Sequence, residues 1–450
     1  MTEGKTIAVP AQEVAVSGEY DVVVCGGGPG GIGAAIAAAR GGARTLLVEW
    51  LSSLGGIATG AYIGAWMDSP GGPIFHELFK TQVSLGSANQ SYDPKRHHKP
   101  GRASFHPETM KAIALRMIRD AGADVLFCTA VEGAWLGDGR VGGVFVANKG
   151  GRSVVLAPVV IDTTADGDVA ASAGAEYLKG DPEDGRLQHV NFKYQLEGIG
   201  WRKQRDQDPG DAEILSRIRT ALSEGRLHPP TGVFRPCPET FPYHLPEKQL
   251  ALAKWEIEGV DPTDPEQVSE TLTECQLAAA EVVAFCREHL PGFEECRIGR
   301  FPGLLGTRES RRILGRYVLT RDDVLKARKF EDGISKACFF MDLHDSPPGI
   351  TTAQFTNEFV MENRPPAGDW YEIPYRCLLP RDTRGLLMAG RCISSDRDAH
   401  GSLRVMPTCM FTGEAAGTAA AMAVAEGVLP DDLDGSQVRE KMMVDAGVPW

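Results

Sequence analysis

Hydrophobic patterning divides the chain into three styles. Residues 20–25, YDVVVC, are apolar at almost every position, as in a strand buried on both faces of a parallel sheet. Residues 26–31, GGGPGG, follow. Residues 32–40 are Ala-rich and predict a helix that Gly41 and Gly42 terminate. A second apolar strand, 43–48, closes on Glu49, completing the start of a βαβ unit of about thirty residues. At 107–122, Met110, Ile113, Ala114, Met117 and Ile118 recur at helical spacing. Strands are then expected at 124–128, 131–136, 139–147, 152–156 and 159–161. Gly137-Asp-Gly139 and Gly150-Gly151 supply the turns of a β-meander.

From about 180 to 370 the style changes. Aromatic, Pro and charged residues rise, and 264–289 predicts one long helix. The first style returns at 373–427, where GLLMAG (385–390) predicts a buried strand and 413–421 a second helix of small residues. There is no repeat of solenoid period. The expected organisation is one domain in two pieces, 1–180 and 371–450, interrupted by a middle domain, 181–370.

Composition adds constraints. Lys and Arg total 47 and Asp and Glu total 60 of 450 residues, a net charge of −13. That balance argues against a nucleic-acid partner, which would require a basic stripe to replace phosphate counterions, and against acidic membrane surfaces. Residues 1–20 lack a basic segment followed by an apolar run, so no secretory signal is expected. No charge-free apolar run reaches membrane-spanning length. The ten cysteines include no CxxC pair, so neither a zinc ribbon nor a redox dithiol nor any other metal site is expected. Scattered thiols in a large chain point to a reducing, cytoplasmic location. Gly is 52 of 450 residues, about 12% against a usual ~7%.

Gly26, Gly28 and Gly31 satisfy GxGxxG. At this glycine content roughly 0.7 chance matches are expected in the chain, so the inference rests on context. An apolar strand precedes the motif, a helix follows, and Glu49 ends the next strand. The first glycine permits a tight turn, the second lets backbone approach a pyrophosphate, and the third brings helix close to strand. The helix N-terminus offers N–H groups to phosphate, and Glu49 would accept hydrogen bonds from an adenosine ribose. Leu54-Gly55-Gly56-Ile57-Ala58 adds close backbone just beyond the second strand. The meander stands where a two-halved NAD fold would place its second nucleotide half.

On these residues the sequence resembles the FAD-dependent oxidoreductases of the glutathione-reductase-like superfamily. It is most similar to a bacterial family called simply FAD-dependent oxidoreductases. The matching stretches are 21–58, 160–175, TRESRRILGRYVLTRDD (307–323), and YEIPYRCLLP followed by GLLMAGRCISSDRDAHGSLRVMPTCMFTGEAAGTAAA within 371–421. The resemblance implies an α/β fold: a Rossmann-like FAD-binding domain with β-meander, interrupted by an α+β substrate or cap domain. It implies FAD as cofactor, with contacts from Gly26, Gly28, Pro29, Gly30, Gly31, Glu49, Trp50, Gly55, Gly56, Ile57, Ala58 and Val131. Thr164, Asp166, Gly390 and Arg391 would follow the ribityl–pyrophosphate part. The helix starting near Gly413, with Ala415, would point its N-terminus at the flavin pyrimidine oxygen, where the helix dipole favours negative charge on the reduced ring.

His400-Gly-Ser-Leu-Arg404 resembles the HGxxR element of the fumarate reductase and succinate dehydrogenase flavoproteins, in which the Arg binds a substrate carboxylate. Arg404 and His400 are therefore candidate catalytic residues. Pairing of Arg404 with FAD or a structural acid is the competing reading. Arg308 joins them through the family pattern; on a helix it would share a face with Arg312. His344, at the end of the apolar stretch 337–341, is a candidate proton donor or acceptor or a structural His. His97-His98 reads as a surface loop. Cys392 stands next to the expected flavin turn, as a small buried residue or a covalent attachment point.

The expected activity is dehydrogenase or reductase chemistry: hydride transfer between a small polar, carboxylate-bearing substrate and flavin N5. An electron acceptor is implied, and a homo-oligomer is left open. An NAD(P)-dependent Rossmann dehydrogenase and a flavin-containing electron carrier without its own substrate are the competing expectations.

Overall fold

The computed structural model describes residues 7, 10–88, 102–199, 210–228, 234–235, 243–244, 251–344 and 357–446. His97, His98 and Cys237 lie outside them.

A five-stranded parallel sheet forms the first core. Its order is Leu386–Met388, Val159–Asp162, Val22–Cys25, Thr45–Val48, Asp124–Leu126. The three central strands and the edge strand Leu386–Met388 are buried at every position, which is why their sequences are almost continuously apolar instead of alternating. Val22–Cys25 pairs in register with Thr45–Val48 on one side and Val159–Asp162 on the other. The meander strands Ala130–Gly137, Arg140–Asn148 and Gly151–Leu156 form a second sheet. An additional strand, Ala15–Glu19, joins its edge in parallel with Gly151–Leu156. Sequence patterning does not reveal it because its residues are mostly exposed.

Helix Pro29–Arg40 packs directly on helix Met406–Glu426. A Cβ on Gly33 would stand 2.2 Å from the Met410 carbonyl oxygen. One on Gly413 would stand 1.9 Å from that of Gly30, and one on Gly417 2.2 Å from that of Ala34. The helices therefore meet backbone to backbone. The second helix begins seven residues before the expected start near Gly413, at Met406.

The middle segment builds another sheet from Val190–Glu197, Ala251–Ile257 and Arg297–Arg300, with short edge strands. Helix Pro265–His289 covers one face, where Val190, Phe192, Tyr194, Leu196, Trp255 and Ile257 join a second hydrophobic cluster. The opposite face carries Asn191, Lys193, Gln195 and Glu256, and these are buried too. The segment 181–370 is divided between the two cores: Ile313, Leu319, Val324, Ile334 and Met341 pack in the first.

No helix formed by the described residues is long and apolar enough to cross a membrane. The nine described cysteines are free.

Candidate active site

The strands Val22–Cys25, Thr45–Val48 and Val159–Asp162 all run toward one edge of the parallel sheet, where α/β folds bind ligands. The loops leaving that edge line a cleft of about 440 Å³, a size suited to a small molecule or cofactor. Gly26, Gly28, Pro29, Gly30, Glu49, Trp50, Gly56, Ile57, Val131, Thr164, Asp166, Gly390, Arg391 and Arg404 are the expected site residues that it brings together.

The three motif glycines have separate physical reasons. Gly26 turns with φ +107°, and a Cβ there would meet the Thr163 carbonyl oxygen at 2.6 Å. A Cβ on Gly31 would stand 1.8 Å from the Gly26 carbonyl oxygen, so Gly31 lets the helix lie against the strand and does not line the cleft. At Gly28 an added Cβ would meet only the Gly56 Cα, at 3.9 Å, and would otherwise project into the cleft. This is the cradle that a pyrophosphate requires. Helix Pro29–Arg40 has no side-chain cap at Gly28 and no acid in its first turn, which leaves its N-terminal N–H groups for an anion.

Glu49 is held from both sides. Its Oε2 accepts from the Gly27 N–H at 2.6 Å and its Oε1 from the Leu51 N–H at 2.8 Å. Burial raises its pKa, and those two donors oppose the shift. Trp50 next to it is 60% exposed while lining the cleft, an apolar platform for a flat ring. Gly55 and Ala58 stand outside the lining. Gly55 has φ +108° and donates its N–H to the Gly27 carbonyl at 2.8 Å, so it locks the second glycine turn to the first.

Further along, Arg391 donates from Nη2 to Asp166 Oδ1 at 2.6 Å and from Nη1 to Ser310 Oγ at 2.9 Å. Its buried Nε has no partner among the described residues. Asp168 also lines the cleft, though only Asp166 was expected to. Burial, followed by the charges of Asp166 and Asp162, pushes its carboxyl up to about 6, against the pull of Arg311. The acid-rich run 162–168 carried the signal for it.

Gly413 and Ala415 are not in the cleft lining: Gly413 packs on Gly30 within the helix pair. Met406 and Cys409, in the first turn of that helix, line the cleft instead. Pro407 marks the start, because Pro suits the first turn and no later one. Cys392 is buried outside the lining, with its thiol pKa raised well above the usual value by burial.

Arg404 caps the short helix Arg397–Leu403 and lines the far end. Its Nη2 donates to the Asp342 carbonyl at 2.6 Å and to Gln188 Oε1 at 3.2 Å, and approaches Asp342 Oδ2 at 3.5 Å. Burial lowers its pKa to about 10, against the pull of Asp342. His344 Nε2 lies 3.0 Å from Asp342 Oδ1. Burial and then the charge of Arg308 lower the His344 pKa, which leaves the ring neutral at neutral pH. His344 is thus one side chain behind Arg404 and outside the cleft lining.

Arg308 and His400 are also outside the lining. Arg308 donates to Glu256 Oε1 at 2.7 Å and to the His189 carbonyl at 2.6 Å, beneath the middle sheet. Arg308 and Arg312 do not share a helical face: Arg311–Ile313 is a strand, paired with Tyr177–Lys179, and Arg312 pairs with buried Glu309. His400 is fully buried. Its Nε2–H donates to the Arg391 carbonyl at 3.1 Å, and burial and then Arg312 hold its pKa well below the usual value. It supports the Arg391 turn from behind. Sequence reasoning also missed the wall from the middle segment, where Val268, Leu272, Leu305 and Thr307 line the cleft. These are ordinary core-type residues with no local signature.

The family model described as "FAD dependent oxidoreductase" matches residues 21–442. No curated protein matches the chain. Similar solved structures include a geranylgeranyl bacteriochlorophyll reductase-like protein from Thermoplasma acidophilum. It is 16% identical, with coverage of 95% of this chain and 83% of that one, and a TM-score of 0.45. A flavin-dependent brominase is 12% identical, with coverage of 95% and 84% and a TM-score of 0.45. The myxobacterial chondrochloren halogenase is 13% identical, with coverage of 95% and 79% and a TM-score of 0.42.

Proposed function

Because this chain belongs to the family of FAD-dependent oxidoreductases, we propose that it is a dehydrogenase or reductase that exchanges hydride between flavin N5 and a small, carboxylate-bearing substrate. The observation that carries this reading is the continuity of one cleft, from the Gly26–Gly30 turn through Asp166 and Arg391 to Arg404. Bound FAD supplies the ring that accepts or gives the hydride. Glu49 accepts hydrogen bonds from the adenosine ribose, and the uncapped helix at Gly28 receives the pyrophosphate. Asp166 and Arg391, locked together, fix the central part of the cofactor. The first turn at Met406 and Cys409, which lines the cleft, would offer its helix N–H groups to the ring.

Arg404 receives the substrate carboxylate, a reading supported by the likeness of 400–404 to HGxxR. Asp342 and Gln188 fix its guanidinium. His344 acts through Asp342 as a positioning residue: neutral, it donates to the carboxylate and so keeps Asp342 oriented. The middle segment adds Leu272 and Leu305 to the cleft wall, and these apolar side chains exclude water where they line it.

Anaerobic mixing of the yellow protein with organic acids tests the reading. Bleaching of the flavin band by at least one carboxylate substrate is the expected result. Retained flavin that no donor of this class reduces would instead indicate an electron carrier without its own substrate.

A further inference from the structure

Behind the Asp166–Arg391 pair stands a hydroxyl with no signature of its own in the sequence. Ser310 is fully buried and outside the cleft lining. Arg391 Nη1 donates to its Oγ at 2.9 Å, and that Oγ donates to Asp166 Oδ1 at 2.5 Å. Chemistry fixes the direction: a guanidinium only donates and a carboxylate only accepts, so the one hydroxyl proton goes to Asp166. Arg391 Nη2 also donates to Asp166 Oδ1, at 2.6 Å, which closes a triangle of hydrogen bonds. Oδ1 thus takes two donors. Oδ2 takes none among the described residues and is not sealed; Asp166 lines the cleft with 29% of its side chain exposed.

The turn that carries Asp166 does not hold itself. Ala165 and Gly167 on either side have φ of +70° and +67°, a left-handed backbone that an alanine resists. Arg311, next to Ser310, donates from Nη1 to the Asp166 carbonyl at 3.1 Å and to Asp168 Oδ1 at 2.8 Å. Residues 310 and 311 therefore hold the side chain and the main chain of one turn. Strand Arg311–Ile313, paired with Tyr177–Lys179, sets their position.

We propose that Ser310 is a positioning residue for the cofactor: by occupying Asp166 Oδ1 it keeps Oδ2 turned to the cleft as a free acceptor. The chemistry of that oxygen names the part of FAD that it meets. A carboxylate oxygen repels the pyrophosphate and pairs with a hydroxyl, and between the pyrophosphate and the ring the hydroxyls of FAD are those of the ribityl chain. This rests on the reading that sets the middle of FAD against Asp166 and Arg391, and it assigns the group behind that pair.

The experiment titrates the full chain, stripped of flavin by dialysis, with FAD and with ADP, and reads binding by calorimetry. ADP carries the adenosine and the pyrophosphate but no ribityl chain. Ser310→Ala removes only the hydroxyl and loosens Asp166. Asp166→Asn keeps the size but sets an amide N–H toward the cleft, because Arg391 and Ser310 hold the amide oxygen. Asp166→Asn should bind FAD about tenfold more weakly and Ser310→Ala about fivefold, the scale of one hydrogen bond to a charged group, with ADP affinity unchanged in both. The double variant should bind FAD as Asp166→Asn does, since Ser310 acts through Asp166. Equal weakening of FAD and ADP by Ser310→Ala overturns the proposal, because the loss would then be a distorted cleft and not one contact. Additive losses in the double variant overturn it too, as does wild-type FAD affinity in Ser310→Ala. In that last case Asp166→Asn separates the two readings: if it also binds FAD as the wild type does, the placement of the cofactor fails, and if it binds more weakly, the placement stands and only the role of Ser310 falls.

Discussion

The two ends of the cleft are built from different materials. At the glycine end, the wall is backbone: Gly26, Gly28, Gly30 and Gly56 expose peptide groups, and Glu49 is oriented by N–H groups of its own neighbourhood. At the Arg404 end, the wall is a side chain, Arg404, held from behind by Gln188 and Asp342. Backbone geometry is set by short stretches of chain and leaves no room for added atoms wherever backbone packs on backbone. A side-chain network is set by the tertiary fold and tolerates size changes, but loses function when one partner is removed. The two ends should therefore fail in different ways.

The largest effect is expected where backbone meets backbone. Gly413→Val would push a side chain into the Gly30 carbonyl, 1.9 Å from the ideal Cβ. Stability should fall by about 3 kcal/mol in chemical denaturation, because neither helix can retreat from a packed core. Gly28→Ala sharpens the contrast. Its φ of −71° admits a side chain, and the new methyl faces only the cleft. Denaturation should be unchanged, while FAD affinity drops about tenfold by dialysis or fluorescence titration. Equal loss of stability in both variants would erase the distinction between packing and ligand glycines.

At the other end, Arg404→Ala should reduce turnover about a hundredfold, the scale of losing one positioned charged donor, while flavin stays bound. Loss of flavin in that variant would move Arg404 from the substrate to the cofactor.

The smallest effect concerns the middle of the cleft. Asp168 has its pKa raised to about 6. Below that pH it is neutral, and above it a carboxylate faces the same cleft as the cofactor's phosphates. FAD affinity should therefore rise severalfold from pH 7.5 to 5.5, as like-charge repulsion is removed. Asp168→Asn should flatten that part of the profile; an unchanged slope would assign it to another group.

Legibility followed the same division. Residues 20–49 declare strand, turn, helix and strand because each element's burial is reported by its own composition, and the acid at Glu49 falls where the second strand ends. The long C-terminal helix is legible as a run of small residues, but that run begins at Gly413 and the helix itself at Met406. Gly413 reads as the start of a helix aimed at the flavin, and only the position of Gly30 shows it to be a packing contact. Arg308 and Arg312 read as one helical face because their spacing permits it. The sheet pairing of Arg311–Ile313 with Tyr177–Lys179 is a contact across more than a hundred residues, and no local pattern encodes it.

By itself, then, the sequence determined the parallel α/β core, the glycine turn with its acid, and many of the residues that line the glycine end of the cleft. Those depend on interactions between near neighbours and on periodic burial. The tertiary structure alone decided which of Arg308, His344, His400 and Arg404 reaches the cleft. It also decided that Asp168 shares it and that Gln188 stands beside Arg404. These placements are made by contacts between segments far apart in the chain, where a charged residue's role depends on which partner the fold brings to it.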